Sequence, residues 1–486
     1  MEPLTWTGSL GSFINPLFFF AFFAFVVSVL GFILLNIFKP QPQIRAVNSQ
    51  MALEAAGGPG VYLGMALRYS FFAIMALIII YLLAGIVTPY GYAGIVGEVG
   101  ARFLPVWVAL VLTFVLSIQF KRKLGLYGKL FDSLIGMVGF ALVMFWVYTA
   151  VFAGIFEMII THPVLDQVSG MKNKVPGTPL RAPEEGEFPH YLLGGDTLAR
   201  DVFSRMVFGA TSVLVIAPAA TAFAFMVGIT LGLPAGYYGG KFDTIISFIA
   251  NLVLAFPVIL LFFLLVTPEI REYVLFSLFG NQVTFPKFMA AVLFAFPIVF
   301  LLVLWQSRFY TQPSKRNLYV GLTVAIGGYL YLGLAWDADP TGYISLDPGV
   351  LIVFVSVVFV NAPTVFRIVR GLVLDIKTRD YVAAGQTRGE GPWYIMLWEI
   401  LPNARGPLIV DFCLRIGYTT ILLGTLGFFG LGLSPESPDW GTTINQGRRL
   451  LGVYPHPAIV PAFALMSLVL GLNLLADGLR EESLKD

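Results

Sequence analysis

Long apolar runs alternate with short polar stretches from the first twenty residues of the chain to its end. A helix needs about 20 apolar residues to cross about 30 Å of hydrocarbon, and no water satisfies backbone groups there, so such runs form helices. The pattern predicts an all-α, polytopic membrane fold with about eleven transmembrane helices. The predicted helices cover residues 17–38, 70–88, 103–120, 131–156, 210–236, 245–266, 287–306, 318–336, 349–366, 406–433 and 458–476.

The first apolar run lacks an N-terminal basic region and a clear small-residue cleavage site, so we expect a retained helix and not a signal peptide. Composition agrees with a membrane protein, because 57% of the 486 residues are hydrophobic and only 12% are charged, against about 25% in an ordinary soluble domain. This excludes a soluble enzyme, a disordered chain and nucleic-acid binding as the main activity. The single cysteine, Cys413, excludes an internal disulfide framework.

Lysine and arginine are distributed unevenly among the loops. With the N-terminus outside, nineteen of them fall in inner loops and ten in outer loops, and five of those ten lie in the long loop 157–209. Positive residues favour short cytoplasmic loops, whereas long loops contribute little to orientation. We therefore expect an outside N-terminus, a cytoplasmic C-terminus and a cytoplasmic segment 371–404.

The sequence offers little catalytic chemistry. His162, His190 and His456 lack the spacing of metal ligands, so we expect no metal site. The chain has no GxxxxGK[ST] loop, so we expect no nucleotide bound by that device. The acidic cluster Glu184–Glu187 fits a solvated loop better than a catalytic site. We expect no catalytic residue and no cofactor in this chain.

Asp411 and Arg415 are charged residues inside a predicted span. They lie four residues apart, so they share a helix face and can pair. Charges within the membrane are functional candidates, and a neutralised structural pair is the alternative that we favour.

Residues 380–403 form the most informative polar segment. The pattern predicts a short helix of small residues, a Gly-rich turn, a second amphipathic helix and a Leu-Pro stop before the next span. Small residues let a helix sit closely against another protein. Such a helix pair is suited to transferring force from a soluble subunit to the membrane helices.

This segment resembles the EAA loop of ABC importer permeases. Ala383 stands where that family commonly has Glu, while the helix and its Gly turn are kept. The resemblance implies that the segment couples the chain to an ATPase. The implied contact residues are Asp380, Tyr381, Ala383, Ala384, Gly385, Gly389, Glu390, Leu401 and Pro402.

Four further stretches resemble the C-type permease of dipeptide, oligopeptide and nickel importers. The resemblance covers residues from about 120 to 486, and the family commonly has a Glu near the position of Gly424. The stretches are LLGGDTLARDVFSR at 192–205, the turn with AGYYGG within 232–243, FFGLG with PDWG within 428–441 and NLLADGLR at 473–480.

The resemblance implies a type I ABC importer permease core of six helices. On this basis residues 1–120 form an N-terminal extension with three transmembrane helices, and residues 121–486 form the permease domain. A helix pair is inserted at about 280–340, and the coupling loop spans about 371–404. The insertion adds an even number of spans, so the coupling loop stays on the inner side predicted by charge.

The implied function is the permease subunit of an ATP-driven importer in a prokaryotic inner membrane, which takes up peptides or a similar small solute. The implied partners are a B-type permease chain, two ATPase subunits or domains that bind ATP and Mg, and an extracytoplasmic binding protein. Nickel or another solute of the same family, an ion-gradient-driven secondary transporter and a membrane-embedded enzyme are the alternatives. Outer-loop residues that could meet the binding protein are Asp196, Arg200, Asp201 and Trp440.

Overall fold

The computed structural model describes residues 2–38, 59–183, 185–267, 274–278, 281–336, 348–431, 434 and 436–483. Glu184 of the acidic cluster and Gly432 of the FFGLG stretch lie outside the described residues. The chain divides into two compact units: the first comprises Met1–Val108 and Asp166–Phe203, and the second comprises Ala109–Leu165 and Ser204–Asp486. The division into residues 1–120 and 121–486 stays a prediction.

The described residues are mainly α-helical. The helices are α1 (Gly11–Phe38), α2 (Pro59–Val87), α3 (Gly94–Arg102), α4 (Leu104–Phe120), α5 (Gly125–Lys129), α6 (Leu134–Gly154), α7 (Val202–Tyr238), α8 (Gly240–Ala255), α9 (Val258–Val266), α10 (Phe285–Arg308), α11 (Pro313–Leu322), α12 (Gly328–Trp336), α13 (Pro348–Ile376), α14 (Asp380–Thr387), α15 (Pro392–Tyr394), α16 (Arg405–Phe428), α17 (Trp440–Gly447) and α18 (His456–Ser483).

Shorter elements join these helices. Two antiparallel strand pairs occur among the described residues: β1 (Thr178–Pro179) with β2 (His190–Tyr191), and β3 (Val274–Leu278) with β4 (Asn281–Thr284). Narrow 3-10 turns cover Lys121–Lys123, Leu130–Asp132, Leu401–Ala404 and Arg448–Leu450, and wide π-helical turns cover Thr323–Gly327 and Ile395–Ile400.

The predicted membrane helices are confirmed. Within the described ranges, ten helical stretches are long and apolar enough to span a bilayer, and a bent pair brings the number to eleven. The bent pair is α8 with α9, which meet at 89° where one helix was predicted over 245–266. The break follows from Pro257, because a proline pushes the preceding residue out of the helical region, and Phe256 is extended with φ −78° and ψ 135°.

Glycines let α7 pack closely on α13 in the second unit. Gly228, Gly232 and Gly236 recur at intervals of four and therefore share one face of α7. A Cβ atom at each of them would come within 3 Å of a valine side chain of α13. Small residues of this spacing allow two membrane helices to approach at backbone distance. The pair α7–α13 forms part of the frame that holds the segment described next.

Candidate functional site

The coupling segment, residues 380–404, begins with α14 at the surface of the second unit. Asp380 lies in the first turn, where a carboxylate favours the positive end of the helix dipole. Val382 and Gly385 form the buried side of the helix. Four of the predicted contact residues are exposed on this helix: Asp380, Tyr381, Ala383 and Ala384. The helix therefore offers one carboxylate, one aromatic and two small side chains to a partner.

A Gly-rich turn ends α14 where the sequence placed it. Gly389 has φ +79°, the left-handed conformation that commonly closes a helix and that favours glycine. Glu390 follows and is half-buried. Pro392 is the first residue of α15, a position at which its missing N–H donor costs nothing.

Leu401 and Pro402 do not end the second helix, so the predicted Leu-Pro stop is wrong. Residues Pro392–Phe428 form one continuous helical stretch, in which the π-helical turn Ile395–Ile400 is followed by the 3-10 turn Leu401–Ala404. A proline normally breaks a helix because its N–H is lost and its ring meets the preceding turn. The change from a wide to a narrow turn alters the local hydrogen-bond pattern and accommodates Pro402.

Polar contacts tie the coupling segment to the helices of the core. Arg388 forms an ion pair of 2.7 Å with Glu399, which joins the two halves of the segment across the turn. Gln386 Nε2 donates to Tyr237 Oη at 3.1 Å. Just before α14, Lys377 Nζ donates to the carbonyl oxygen of Gly236 at 2.8 Å, at the C-terminal end of α7.

The buried side of the coupling segment belongs to one apolar cluster with α7 and α13. Val382, Ile395 and Ile400 are buried there together with Leu233 and Val369. A movement of the segment therefore acts on two membrane helices through packed side chains. An ion pair between Arg370 and Asp243, with Arg370 Nη2 donating to Oδ2 at 2.6 Å, also links α13 to α8 nearby.

These contacts define a coupling end of the second unit, which carries residues 236–243, 309–312 and 377–404. The opposite end carries residues 155–165 and 436–455.

Asp439 begins α17 at this opposite end by accepting a hydrogen bond from the Thr442 amide at 3.0 Å. Burial raises the pKa of the Asp439 carboxyl above its usual value.

Trp440, a predicted docking residue, is almost fully enclosed at this opposite end. Only 1% of its surface is exposed, its indole donates to the carbonyl oxygen of Met206 at 2.8 Å, and its ring lies edge-on to that of Trp146. Arg205 is fully buried beside it and donates to the carbonyl oxygen of Ser437 at 2.8 Å. Arg205 thus holds the chain just before α17, a role that the sequence alone did not reveal.

The other predicted docking residues lie in the first unit and are also enclosed. Asp196 and Arg200 are each 2% exposed and form an ion pair of 2.7 Å. Asp201 is buried and accepts a hydrogen bond from the Phe203 amide at 3.2 Å. Their burial indicates that these side chains shape the loop from within, whereas Leu198 of the same turn is exposed. Docking on this loop stays a prediction.

The predicted pairing of Asp411 with Arg415 is present, with Arg415 Nε and Nη2 each 3.1 Å from a carboxylate oxygen. The pair belongs to a longer polar row that the sequence did not show. Arg415 Nη1 reaches Asn361 Oδ1 at 3.5 Å, Asn361 Nδ2 donates to Thr419 Oγ1 at 3.4 Å, and Thr419 lies 3.2 Å from Thr221. The row joins α16, α13 and α7 in the interior of the second unit.

The fold and these elements define a multi-pass membrane protein of the transport permease class. The family model of the binding-protein-dependent transport system inner membrane component matches residues 318–481. Over 297 residues the chain is 30% identical to the glutathione transport system permease protein GsiD of Pectobacterium atrosepticum, covering 61% of this chain and 73% of that protein.

Two dipeptide transport system permease proteins DppC, from Alkalihalophilus pseudofirmus and Haemophilus influenzae, are each 28% identical over 297 residues. These alignments cover 61% of this chain and 72% and 75% of the two relatives. The chain therefore belongs to the family of binding-protein-dependent transport system inner membrane components, the permeases of ABC importers, within its peptide branch. Members of this family are permease subunits that are not themselves catalytic.

Proposed function

We propose that this chain is one half of the translocation pore of an ATP-driven importer for small peptides. A second permease chain supplies the other half, separate ATPase subunits bind and hydrolyse ATP with Mg, and an extracytoplasmic protein delivers the solute. The coupling segment carries the proposal, because an exposed helix of small residues is packed, through its other side, onto α7 and α13. The names of the glutathione and dipeptide relatives support peptides as the substrate class.

The coupling end is placed in the cytoplasm in this proposal. Lys241, Lys377, Arg379 and Arg388 all lie at this end, and positive residues favour cytoplasmic loops. ATP drives transport only if it binds one conformation of the complex more tightly than the other. When the ATPase subunits close on α14, the tightly packed cluster beneath it carries the movement to the membrane helices.

Bulky substitutions on α14 test this coupling role. We expect Ala383→Trp and Ala384→Trp to reduce copurification of the ATPase and ATP-dependent uptake of a labelled dipeptide at least tenfold, because a large side chain blocks a close interface. Ser314→Trp, at an exposed position of α11, is the matched control and should leave both unchanged. Normal uptake by both α14 variants, in protein that is present at normal levels, would contradict the proposal.

Labelling from either side of the membrane tests orientation. In a Cys413→Ser background, Thr387→Cys on exposed α14 should react with an impermeant maleimide only in inside-out vesicles. Arg449→Cys, exposed at the opposite end, should react in intact spheroplasts. The reverse pattern would place the coupling segment outside and overturn the proposed function.

A further inference from the structure

The hairpin formed by α10, α11 and α12, residues 285–336, reaches the coupling segment with its turn. Trp398 Nε1 donates to Ser307 Oγ at 3.2 Å, near the end of α10. The guanidinium of Arg308 lies 4.5 Å from the centre of the Trp398 ring, within the range of a cation–π contact. The hairpin thus contacts both the indole N–H and the ring face of Trp398, which lies in the π-helical turn.

A second pair of contacts lies at the Gly-rich turn. Tyr310 Oη donates to Glu390 Oε2 at 3.4 Å, and the Tyr310 ring meets the Tyr394 ring edge-on with centroids 6.0 Å apart. The hairpin turn therefore contacts the coupling segment on both sides of Pro392.

Apolar packing joins the same two elements. Phe300, Val303 and Leu304 of α10 pack against the cluster that buries Ile395 and Ile400. The coupling segment consequently rests on the hairpin as well as on α7 and α13. Beside these contacts a groove of about 330 Å³ remains open, so the join consists of discrete anchors and not of one continuous interface.

The local backbone explains why such anchors matter. The coupling segment joins α16 through a π-helical turn followed by a 3-10 turn. A 3-10 turn has poorer hydrogen-bond geometry than a regular α-helix and often marks a hinge in mid-helix, and π-helical turns are frequent at functional sites. Without support, a push on α14 would bend this junction before it moved α16.

We propose that the α10–α12 hairpin braces the coupling segment, so that α14, the junction 392–404 and α10 move as one body during transport. Ser307, Arg308 and Tyr310 are positioning residues that hold Trp398 and the 390–394 turn. This inference rests on the proposed function, because it concerns how movement of an ATPase reaches the pore. It assigns a mechanical role to a hairpin that lies outside the predicted six-helix core.

Conservative variants in the assembled transporter, reconstituted in proteoliposomes, test the brace. We expect Trp398→Phe and Tyr310→Phe each to lower the number of peptides transported per ATP hydrolysed by about two- to fivefold, the range expected for one lost hydrogen bond. ATPase binding and hydrolysis should remain, because α14 is untouched. Trp6→Phe and Tyr62→Phe make the same chemical changes at exposed positions and should leave the ratio unchanged.

A covalent link provides a rescue experiment. In the Cys413→Ser background, the double variant Ser307→Cys, Trp398→Cys should transport few peptides per ATP. A short, reducible bifunctional thiol reagent that joins the two cysteines should restore the ratio, and reduction should abolish it again. If the hairpin and the segment slide past each other during transport, the link will block uptake instead, and the inference is overturned.

The two proposals fail in distinguishable ways. If the unmodified complex shows no ATP-driven uptake, the proposed function is wrong. If the unmodified complex transports and the Trp398 and Tyr310 variants match their controls, the proposed function stands and the brace is refuted.

Discussion

Arg205 Nη2 donates a 2.8 Å hydrogen bond to the carbonyl oxygen of Ser437, which lies 232 residues further along the chain. The same guanidinium reaches the carbonyl oxygens of Val164 and Glu436 at 3.4 Å and the hydroxyl of Thr443 at 3.3 Å. One buried cation thus fixes residues 436–437 against the first turn of α7.

Removal of this guanidinium should loosen the loop at the opposite end. We expect Arg205→Gln to destabilise this end by about 3 kcal/mol, because a hydrogen bond to a charged group contributes about 1.5–3 kcal/mol and several are lost together. Faster proteolysis within residues 434–439 and a lower thermal midpoint in detergent would register the change. Arg449→Gln, at an exposed position of the same end, is the control, and equal behaviour of the two variants would contradict the assignment.

Asp439 should make the same end of the protein pH-sensitive. One carboxylate oxygen accepts from the Thr442 amide, while Oδ2 has no hydrogen-bond partner among the described residues, so burial raises the pKa of this group. Since the folded pKa lies above the unfolded one, the folded state binds the proton more tightly, and stability rises as the pH falls through the raised pKa.

The variant Asp439→Asn separates charge from capping. Asn keeps an oxygen for the Thr442 amide but carries no charge, so we expect it to be more stable than the native protein above the raised pKa of Asp439, and the difference to shrink as the pH falls toward the unfolded value of about 3.9. Thermal midpoints measured at several pH values check this. A native protein whose stability does not rise on acidification, or an Asn variant with the same pH profile, would refute the electrostatic argument.

Gly441 permits the close contact between α17 and α16. A Cβ atom at Gly441 would collide with the carbonyl oxygen of Gly424 and lie 2.9 Å from the Cα atom of Gly427. We expect Gly441→Ala to lower the thermal midpoint, because the added Cβ atom would clash with backbone atoms, which cannot move aside as side chains can. The expected loss of folding free energy is about 1–3 kcal/mol. Gly452→Ala is the matched control, since its added Cβ would meet nothing within 4 Å. Equal midpoints for both variants would show that the helices have room to separate.

The apolar pattern predicted the number of membrane helices because a bilayer leaves the backbone no alternative to internal hydrogen bonds. The apolar pattern did not predict the bend between α8 and α9, because hydropathy does not change at Pro257. The proline itself was the available signal of a bend. The glycines of the turn correctly predicted where α14 ends. The helical stretch continues through Pro402 only because the helix type changes there, and no local sequence rule predicts that change. Burial of Trp440 and Asp196 depends on contacts from distant residues, so their exposure could not be judged from the sequence.

The sequence also did not predict the polar row that extends from Asp411 and Arg415. A spacing of four residues predicts partners only within one helix. Asn361 and Thr221 reach the row from α13 and α7, and only the packing of those helices brings them to it. The row gives Arg415 one neutral hydrogen-bond partner, Asn361, besides the Asp411 carboxylate.

Paired substitution distinguishes a structural role of Asp411 and Arg415 from a functional one. Asp411→Asn alone should destabilise the protein by about 3–5 kcal/mol, because it leaves a buried cation without its counter-charge. The double variant Asp411→Asn, Arg415→Gln removes both charges and should recover most of the thermal stability in detergent. If the pair is structural, the double variant will also recover ATP-driven peptide uptake. Restored stability without restored uptake would contradict that expectation and assign the charges themselves to transport, which is the usual reason for ionisable groups to persist inside a membrane.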